Sequence, residues 1–329
     1  MRAIVITRPG GPEVLELREV RTPEPGPGQV RVRVAASGVN RADLLQRRGA
    51  YPAPPGWPAD IPGLEYAGTV DALGIGASRF RVGDRVMGLV GGGGYAEQVV
   101  AAEPEVVPVP ARLPLESAAA VPEAFITAHD ALFTQLGLAA GETLLVHAVG
   151  SGVGTAGLQL AKAAGARVLG SGRGAGKLEQ ALQLGLDAAI QVSAGEDWAE
   201  AVLRETGGRG VDAILDLVGG DYLRGNIRVL APRGRLIIVG LVAGRTAELD
   251  MGAVLSRRLR IVGTALRSRS RGEKAATTAA FAHHVLPLLG EEAVKPIVDR
   301  AFPPEEAARA HERMEGNENF GKILIRWSQ

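Results

Sequence analysis

The sequence predicts an α/β protein in which a doubly wound parallel sheet is joined to a smaller β-rich unit. Three observations carry that expectation. Thr143 to Lys162 reads as a short apolar run, a glycine-rich turn, and then apolar residues at helical spacing, the pattern of a buried parallel strand feeding a helix. From about residue 123 onward, strand-like and helix-like segments alternate, as they do in strand–helix–strand crossover units. The first 122 residues instead carry short Val- and Ile-rich segments punctuated by Gly/Pro turns such as Pro9-Gly10-Gly11-Pro12 and Pro25-Gly26-Pro27-Gly28, which indicates an antiparallel β-rich unit.

In that first unit the segments Ala3–Thr7, Leu15–Val20, Gln29–Ala36, Ala67–Ala72, Arg85–Val90 and Ala96–Val100 read as strands. Between them Tyr51 to Pro62 holds five prolines and one glycine, so it is an ordered loop, either a simple connector or a wall over a cleft. In the second unit strands are expected at Thr143–Ala148, Arg167–Gly170, Ala188–Val192, Ala213–Leu217, Arg235–Gly240 and Arg260–Ala265. Helices are expected at Val153–Ala164, Lys177–Leu184, Trp198–Thr206 and Tyr222–Leu230. A helix near Glu273–Leu289, a short helix near Pro304–Met314 and a closing strand Lys322–Trp327 then return to the first unit. The expected division is therefore 1–122 with 266–329, and 123–265.

A chain of 329 residues can bury two ordinary cores. Its net charge of +1 offers no general field to nucleic acid or an anionic membrane. It has no cysteine, which excludes disulfides, iron–sulfur clusters, thiolate nucleophiles and sulfur-ligated zinc. His129, His147, His283, His284 and His311 lack ligand spacing, so no metal is expected. There is no run of about 18 apolar residues, and the opening MRAIVITRPGG lacks a signal peptide's apolar stretch. A cytoplasmic protein without a membrane partner is the expectation.

Gly152-Val153-Gly154-Thr155-Ala156-Gly157 fits G-x-G-x-x-G. Read three residues earlier, the usual register places Val149, Ser151 and Gly154 at the three glycine positions and keeps only the last. A helix opening directly after a strand aims backbone N–H groups and the positive end of its dipole at one place, where a diphosphate fits. About 20 residues on, an NAD-binding chain carries an acidic residue for the ribose hydroxyls. Here stand Gly170, Ser171, Gly172 and Arg173, with Lys177 one turn later. A carboxylate there would repel a 2′-phosphate; small residues and a cation welcome it. One charge-assisted hydrogen bond contributes about 1.5–3 kcal/mol, roughly 10- to 100-fold in favour of NADPH over NADH. The alternative is that Arg173 and Lys177 are ordinary solvated charges.

The strings PGGPEVL, VAASGVNRADLLQRRGAYPAPPG, AAAVPEAFITA, HAVGSGVGTAGLQLAK, LDLVGG, GRLIIVGL, TALRSRS and NFGKILI span essentially the whole chain. Through them it resembles the medium-chain dehydrogenase/reductase superfamily, specifically its zinc-free quinone oxidoreductase branch, and is most similar to the p53-inducible quinone oxidoreductase type. The resemblance implies a Rossmann domain for NADPH and a GroES-like β-rich substrate domain. Metal-dependent relatives hold zinc with cysteine, histidine and a further ligand. Here Asn40 stands in the cysteine region and Leu64 at the histidine position, beside Glu65, which leaves Glu65 a structural role.

The same resemblance implies site residues. Ser151, Gly152 and Val153 line the diphosphate, and Gly172, Arg173 and Lys177 surround the adenosine phosphate, with Val192 where many relatives have tyrosine. Thr127 contacts the nicotinamide amide, and Gly240, Leu241 and Val242 approach the ring through backbone. Leu266 and Ser268 close over the cofactor, and Asn319 and Lys322 reach back from the tail. Asn40 and Tyr51 are the acceptor-pocket candidates: Asn40 to donate to a developing oxyanion, Tyr51 to stack on a planar quinone or donate a hydrogen bond. Each has a plainer reading, Asn40 as a turn-former and Tyr51 as a loop anchor. The expected activity is metal-free hydride transfer from NADPH to a quinone. An enoyl or alkenal reductase of the same superfamily is the alternative, followed by a non-catalytic cofactor-binding or RNA-binding protein. The apolar edge strand near Leu259–Ala265 invites pairing with a second copy as a homodimer.

Overall fold

The computed structural model describes residues 1–193 and 197–327. The chain divides into two compact units, Met1–Ile126 with Leu266–Gln329, and Thr127–Ala265.

In the unit Thr127–Ala265 six strands lie parallel in the order Ala188–Gln191, Arg167–Gly172, Thr143–Val146, Val211–Asp216, Leu230–Ile238, Arg260–Gly263. The central strand Thr143–Val146 is buried along its whole length, as a strand covered on both faces must be. Strand order reverses between it and Val211–Asp216, and ligands of open α/β sheets sit at such a switch point, beyond the carboxyl ends. Helices Gly152–Ala163, Ala175–Gln183, Trp198–Glu205 and Tyr222–Val229 alternate with the strands. The fifth strand stops at Ile238, short of the expected Gly240, because the Val239 and Gly240 N–H groups both turn to the Asp216 carbonyl, at 2.8 and 3.2 Å. Arg260–Gly263 is the edge strand, with Ile261 and Val262 half-buried.

The other unit is a seven-stranded sheet ordered Val298–Phe302, Lys322–Arg326, Gln29–Val39, Glu65–Leu73, Arg85–Leu89, Val106–Pro108, with Gln98–Ala102 also paired to Gln29–Val39. Val298–Phe302 runs parallel to its neighbour and the other pairings are antiparallel. A hairpin of Arg2–Ile6 and Leu15–Glu19 stands beside it. Its core gathers Ile4, Val32, Tyr66, Tyr95, Ile323 and Trp327.

The short helix Arg41–Arg47, absent from the sequence expectation, starts where Asp43 folds back to accept the Asn40 backbone N–H at 2.8 Å, a capping arrangement. The expected helix over Glu273–Leu289 divides into Arg271–His284 and Leu286–Gly290, since Pro287 lacks the N–H that a continuous helix needs there. No helix among the described residues is long and apolar enough to cross a membrane.

Candidate active site

The turn after Thr143–Val146 is shaped for an anionic ligand. Ala148 adopts φ +50°, and Ser151 caps the helix Gly152–Ala163 by accepting the Gly154 N–H at 3.1 Å. This leaves the Ser151 O–H free to donate outward. Gly154 has to lack a side chain, since a Cβ there would lie 2.5 Å from the Ala148 carbonyl oxygen and 2.7 Å from that of Val149. The strand–helix approach is therefore as close as the fingerprint glycine permits. Val149, in place of the first glycine, is buried and packs against Gly170.

The second strand ends on half-buried Gly172, followed by exposed Arg173, and Lys177 sits in the first turn of Ala175–Gln183. Neither Gly172 nor Arg173, the residues at this strand end, is acidic. Val192 donates its N–H to the Gly172 carbonyl at 2.9 Å, so residue 192 lies beside the end of the second strand. Arg173 also lies near enough to Tyr222 to favour its phenolate, against the burial that raises that phenol's pKa.

Beyond the fifth strand, Gly240 passes under the chain at Leu217, where a Cβ would lie 2.3 Å from the carbonyl oxygen. Leu241 and Val242 follow with 48% and 58% of their surface exposed, unusual for large apolar residues beside a glycine-rich loop. Thr127 is buried and its Oγ1 has no hydrogen-bond partner. An orphaned buried hydroxyl costs about 1–3 kcal/mol, so it is suited to a ligand amide. These residues fit a dinucleotide: a diphosphate cradle, a second strand that ends on Gly172 and Arg173 rather than on a carboxylate, and an unmatched hydroxyl.

Sequence reading missed the buried polar chain that supports them. Ser171 Oγ meets His147 Nδ1 at 2.6 Å, His147 Nε2 meets Asn226 Oδ1 at 2.6 Å, and Asn226 Nδ2 donates to Asp216 at 2.9 Å. Asp216 in turn accepts the Val218 and Gly219 N–H groups at 2.8 and 2.9 Å. Burial holds the His147 imidazole below its ordinary pKa, in keeping with a neutral ring that donates from Nε2 and accepts at Nδ1. The chain ties residues at the ends of three strands to the loop that carries Gly219. The sequence signal was His147 and Asp216, polar residues closing two apolar runs.

The acceptor candidates lie in the other unit. Asn40, expected to donate to an oxyanion, directs Nδ2 at Glu65 Oε1 (2.9 Å) and the Gly38 carbonyl (3.3 Å). Lys322, expected to reach the cofactor, has an ammonium only 4% exposed as a residue and aimed inward, at the Val39 carbonyl (2.9 Å), Asn40 Oδ1 (2.6 Å) and Glu65 Oε1 (2.6 Å). All three of its protons are engaged. Asn319 donates to the Gly321 carbonyl at 2.7 Å; Leu266 is buried and Ser268 exposed. Glu65 is fully buried and also accepts the Glu123 N–H at 2.7 Å. Gly38 admits it, since a Cβ there would fall 2.1 Å from Glu65 Oε1. Tyr51 is half-buried, with the Arg267 guanidinium 4.8 Å above its ring, a cation–π contact. Arg267, inside the string TALRSRS but given no role by the resemblance, donates to the Gly91 and Tyr51 carbonyls and to Gln46 Oε1.

These donors do not fit a zinc ion: the chain lacks cysteine, and no group of three His, Asp or Glu able to hold a metal occurs among the described residues.

Fold and cradle together define a pyridine-nucleotide oxidoreductase. Residues 152–281 match the zinc-binding dehydrogenase family and residues 26–111 the GroES-like domain of alcohol dehydrogenases. The quinone oxidoreductase of Pseudomonas aeruginosa is 36% identical over 317 residues, covering 96% of each chain. A mycobacterial protein solved in complex with NADPH superposes with a TM-score of 0.88 at 30% identity, over 99% of this chain and 100% of that one. The CurK enoyl reductase superposes at 0.87 with 25% identity, over 99% and 98%. The chain belongs to the quinone oxidoreductase branch of the medium-chain dehydrogenase/reductase superfamily.

Proposed function

We propose that this oxidoreductase uses NADPH and that its acceptor is a quinone. The observation that carries the cofactor choice is the second strand, which ends on Gly172-Arg173 where a carboxylate would select NADH. The acceptor class rests on full-length likeness to proteins named quinone oxidoreductase. When bound, the reduced nicotinamide supplies a hydride. Ser151, Gly152 and Val153 hold the diphosphate, Gly172, Arg173 and Lys177 the 2′-phosphate end, and Thr127 the amide. Gly240, Leu241 and Val242 approach the nicotinamide ring through backbone. Lys322 acts through Asn40 and Glu65 rather than on the cofactor. Tyr51 offers a planar face to the acceptor. A quinone is already electrophilic, so the protein's work is alignment and exclusion of water.

The likeness to the CurK enoyl reductase favours a second reading, delivery of the hydride to a conjugated carbon–carbon double bond. NADPH oxidation assayed in parallel with 1,2-naphthoquinone and a conjugated enone decides between them, the quinone being turned over faster. The Arg173→Ala/Lys177→Ala double variant should bind NADPH about 10- to 100-fold more weakly with NADH binding nearly unchanged; equal loss for both cofactors overturns the NADPH assignment. We also place a homodimer at the edge strand Arg260–Gly263, which light scattering checks.

A further inference from the structure

The charged groups closest to Asn40 satisfy one another, and Glu123 stands outside their network. Lys322 is held by three acceptors, and the Arg267 donors go to two carbonyls and Gln46. Asp43 is buried and accepts from the Asn40 and Gly63 N–H groups and the Tyr95 hydroxyl. Glu65 takes Asn40, Lys322 and the Glu123 N–H. The Glu123 carboxyl receives no hydrogen bond and no ion pair from the described residues, although its backbone is tied to Glu65; Glu105, across the same cavity, is the other carboxyl without either. It borders a small cavity of about 20 Å³ whose other walls include Leu64, Leu89, Val90 and Leu266. That space suits a single water.

We propose that the Glu123 carboxyl is the proton donor of the reductase, delivering its proton to the oxyanion that hydride addition leaves on the acceptor. The inference rests on the acceptor reading given above. Glu123 is near enough to Tyr51 for its charge to act on that phenol, and it stands four residues before Thr127 in the chain. Hydride delivered to a quinone leaves a hydroquinone monoanion. The Glu123 O–H bond then breaks, its electron pair stays on the carboxylate, and a new O–H bond forms on the monoanion to give the hydroquinone. Water in the cavity returns a proton to Glu123. Nothing is oxidised or reduced in this second step.

The surroundings keep that proton in place until it is needed. Glu65 from the strand Glu65–Leu73 and Asp43 from the helix Arg41–Arg47 face Glu123 with like charge. Lys322 and Arg267 oppose them, and Tyr51, Glu105 and Lys274 complete the surroundings. Burial first and Glu65 second push the carboxyl up to about 8 from an ordinary 4.5, which is the range a general acid needs at neutral pH. The two cations do not reverse this, because their donors are directed elsewhere.

Difference infrared spectroscopy of the protein alone, titrated from about pH 6 to pH 9, reads the proton directly. The wild type should show a protonated carboxyl band that fades with a midpoint near 8, and Glu123→Gln should lack it. With 1,2-naphthoquinone, Glu123→Gln should turn over about 100-fold more slowly, lose the alkaline fall in kcat and bind NADPH unchanged. Glu123→Asp keeps a proton and should recover part of the rate together with the alkaline fall. A Glu123 already ionised at pH 7, or a Glu123→Gln enzyme with wild-type rate and pH profile, overturns the inference while quinone reduction stands. A wild type that reduces neither quinone nor enone overturns the reductase reading itself, and the proton-donor role with it.

Discussion

Each unit contains a buried polar cluster, and the two are built on opposite plans. In Thr127–Ala265 the chain Ser171–His147–Asn226–Asp216 ends on two backbone N–H groups, so every donor finds an acceptor. In the other unit Asn40, Glu65 and Lys322 close on one another and leave the Glu123 carboxyl outside. A saturated network fixes geometry, because any rearrangement strands a buried polar group. A network with one member left over stores a reactive state. The comparison separates scaffold from chemistry more clearly than burial does, since both clusters are largely buried.

Lys322→Met should disturb the second cluster most. It leaves the Glu65 carboxylate buried without its cation, a loss of about 3–5 kcal/mol that urea unfolding should register. Asn226→Leu strands His147 Nε2 and Asp216 Oδ2 and should cost less, about 1–3 kcal/mol, with the NADPH dissociation constant rising as the Gly219 loop loosens. The third effect should have the opposite sign. Glu123 has its pKa raised from 4.5 to about 8, so between those values the folded protein holds more protons than the unfolded chain. Stability therefore falls as pH rises through that window. Glu123→Gln should raise Tm at pH 8 by a few degrees, roughly 2–4 °C, and leave it unchanged near pH 4.5, as differential scanning calorimetry would show.

The sequence displayed the parts whose signal is local. The glycine turn showed itself through Gly152, Gly154 and the helical spacing after them, and the parallel sheet through its alternation of strand and helix. Val298–Phe302 went unread because Asp299 and Arg300 interrupt its apolar pattern, and Val106–Pro108 because three residues are too few to show a period. At the site, Thr127, Tyr51 and the Ser151 turn lie inside strings that can be quoted, yet their partners do not. Lys322 looks like an ordinary residue opening a strand, and its acceptors Val39 and Asn40 lie over 280 positions earlier. Arg267 and Glu123 likewise draw their meaning from residues distant in sequence. Asn40 shows the effect most directly: an amide that could serve an oxyanion is held by Glu65 and Lys322, which no local pattern ties to it.

The strand Lys322–Arg326 is inserted between Val298–Phe302 and Gln29–Val39, and this orders events during synthesis. A ribosome adding about 5–20 residues per second needs roughly 15–60 seconds to travel from Val39 to Lys322. Throughout that interval the Ala36–Val39 end of the strand lacks its partner, since Gln98–Ala102 covers only Gln29–Arg33 on that side, and Glu65 lacks its ammonium. Thr127–Ala265 emerges whole in the meantime and can fold first. The nascent chain therefore carries a short unpaired edge at Ala36–Val39 until Lys322–Arg326 is made.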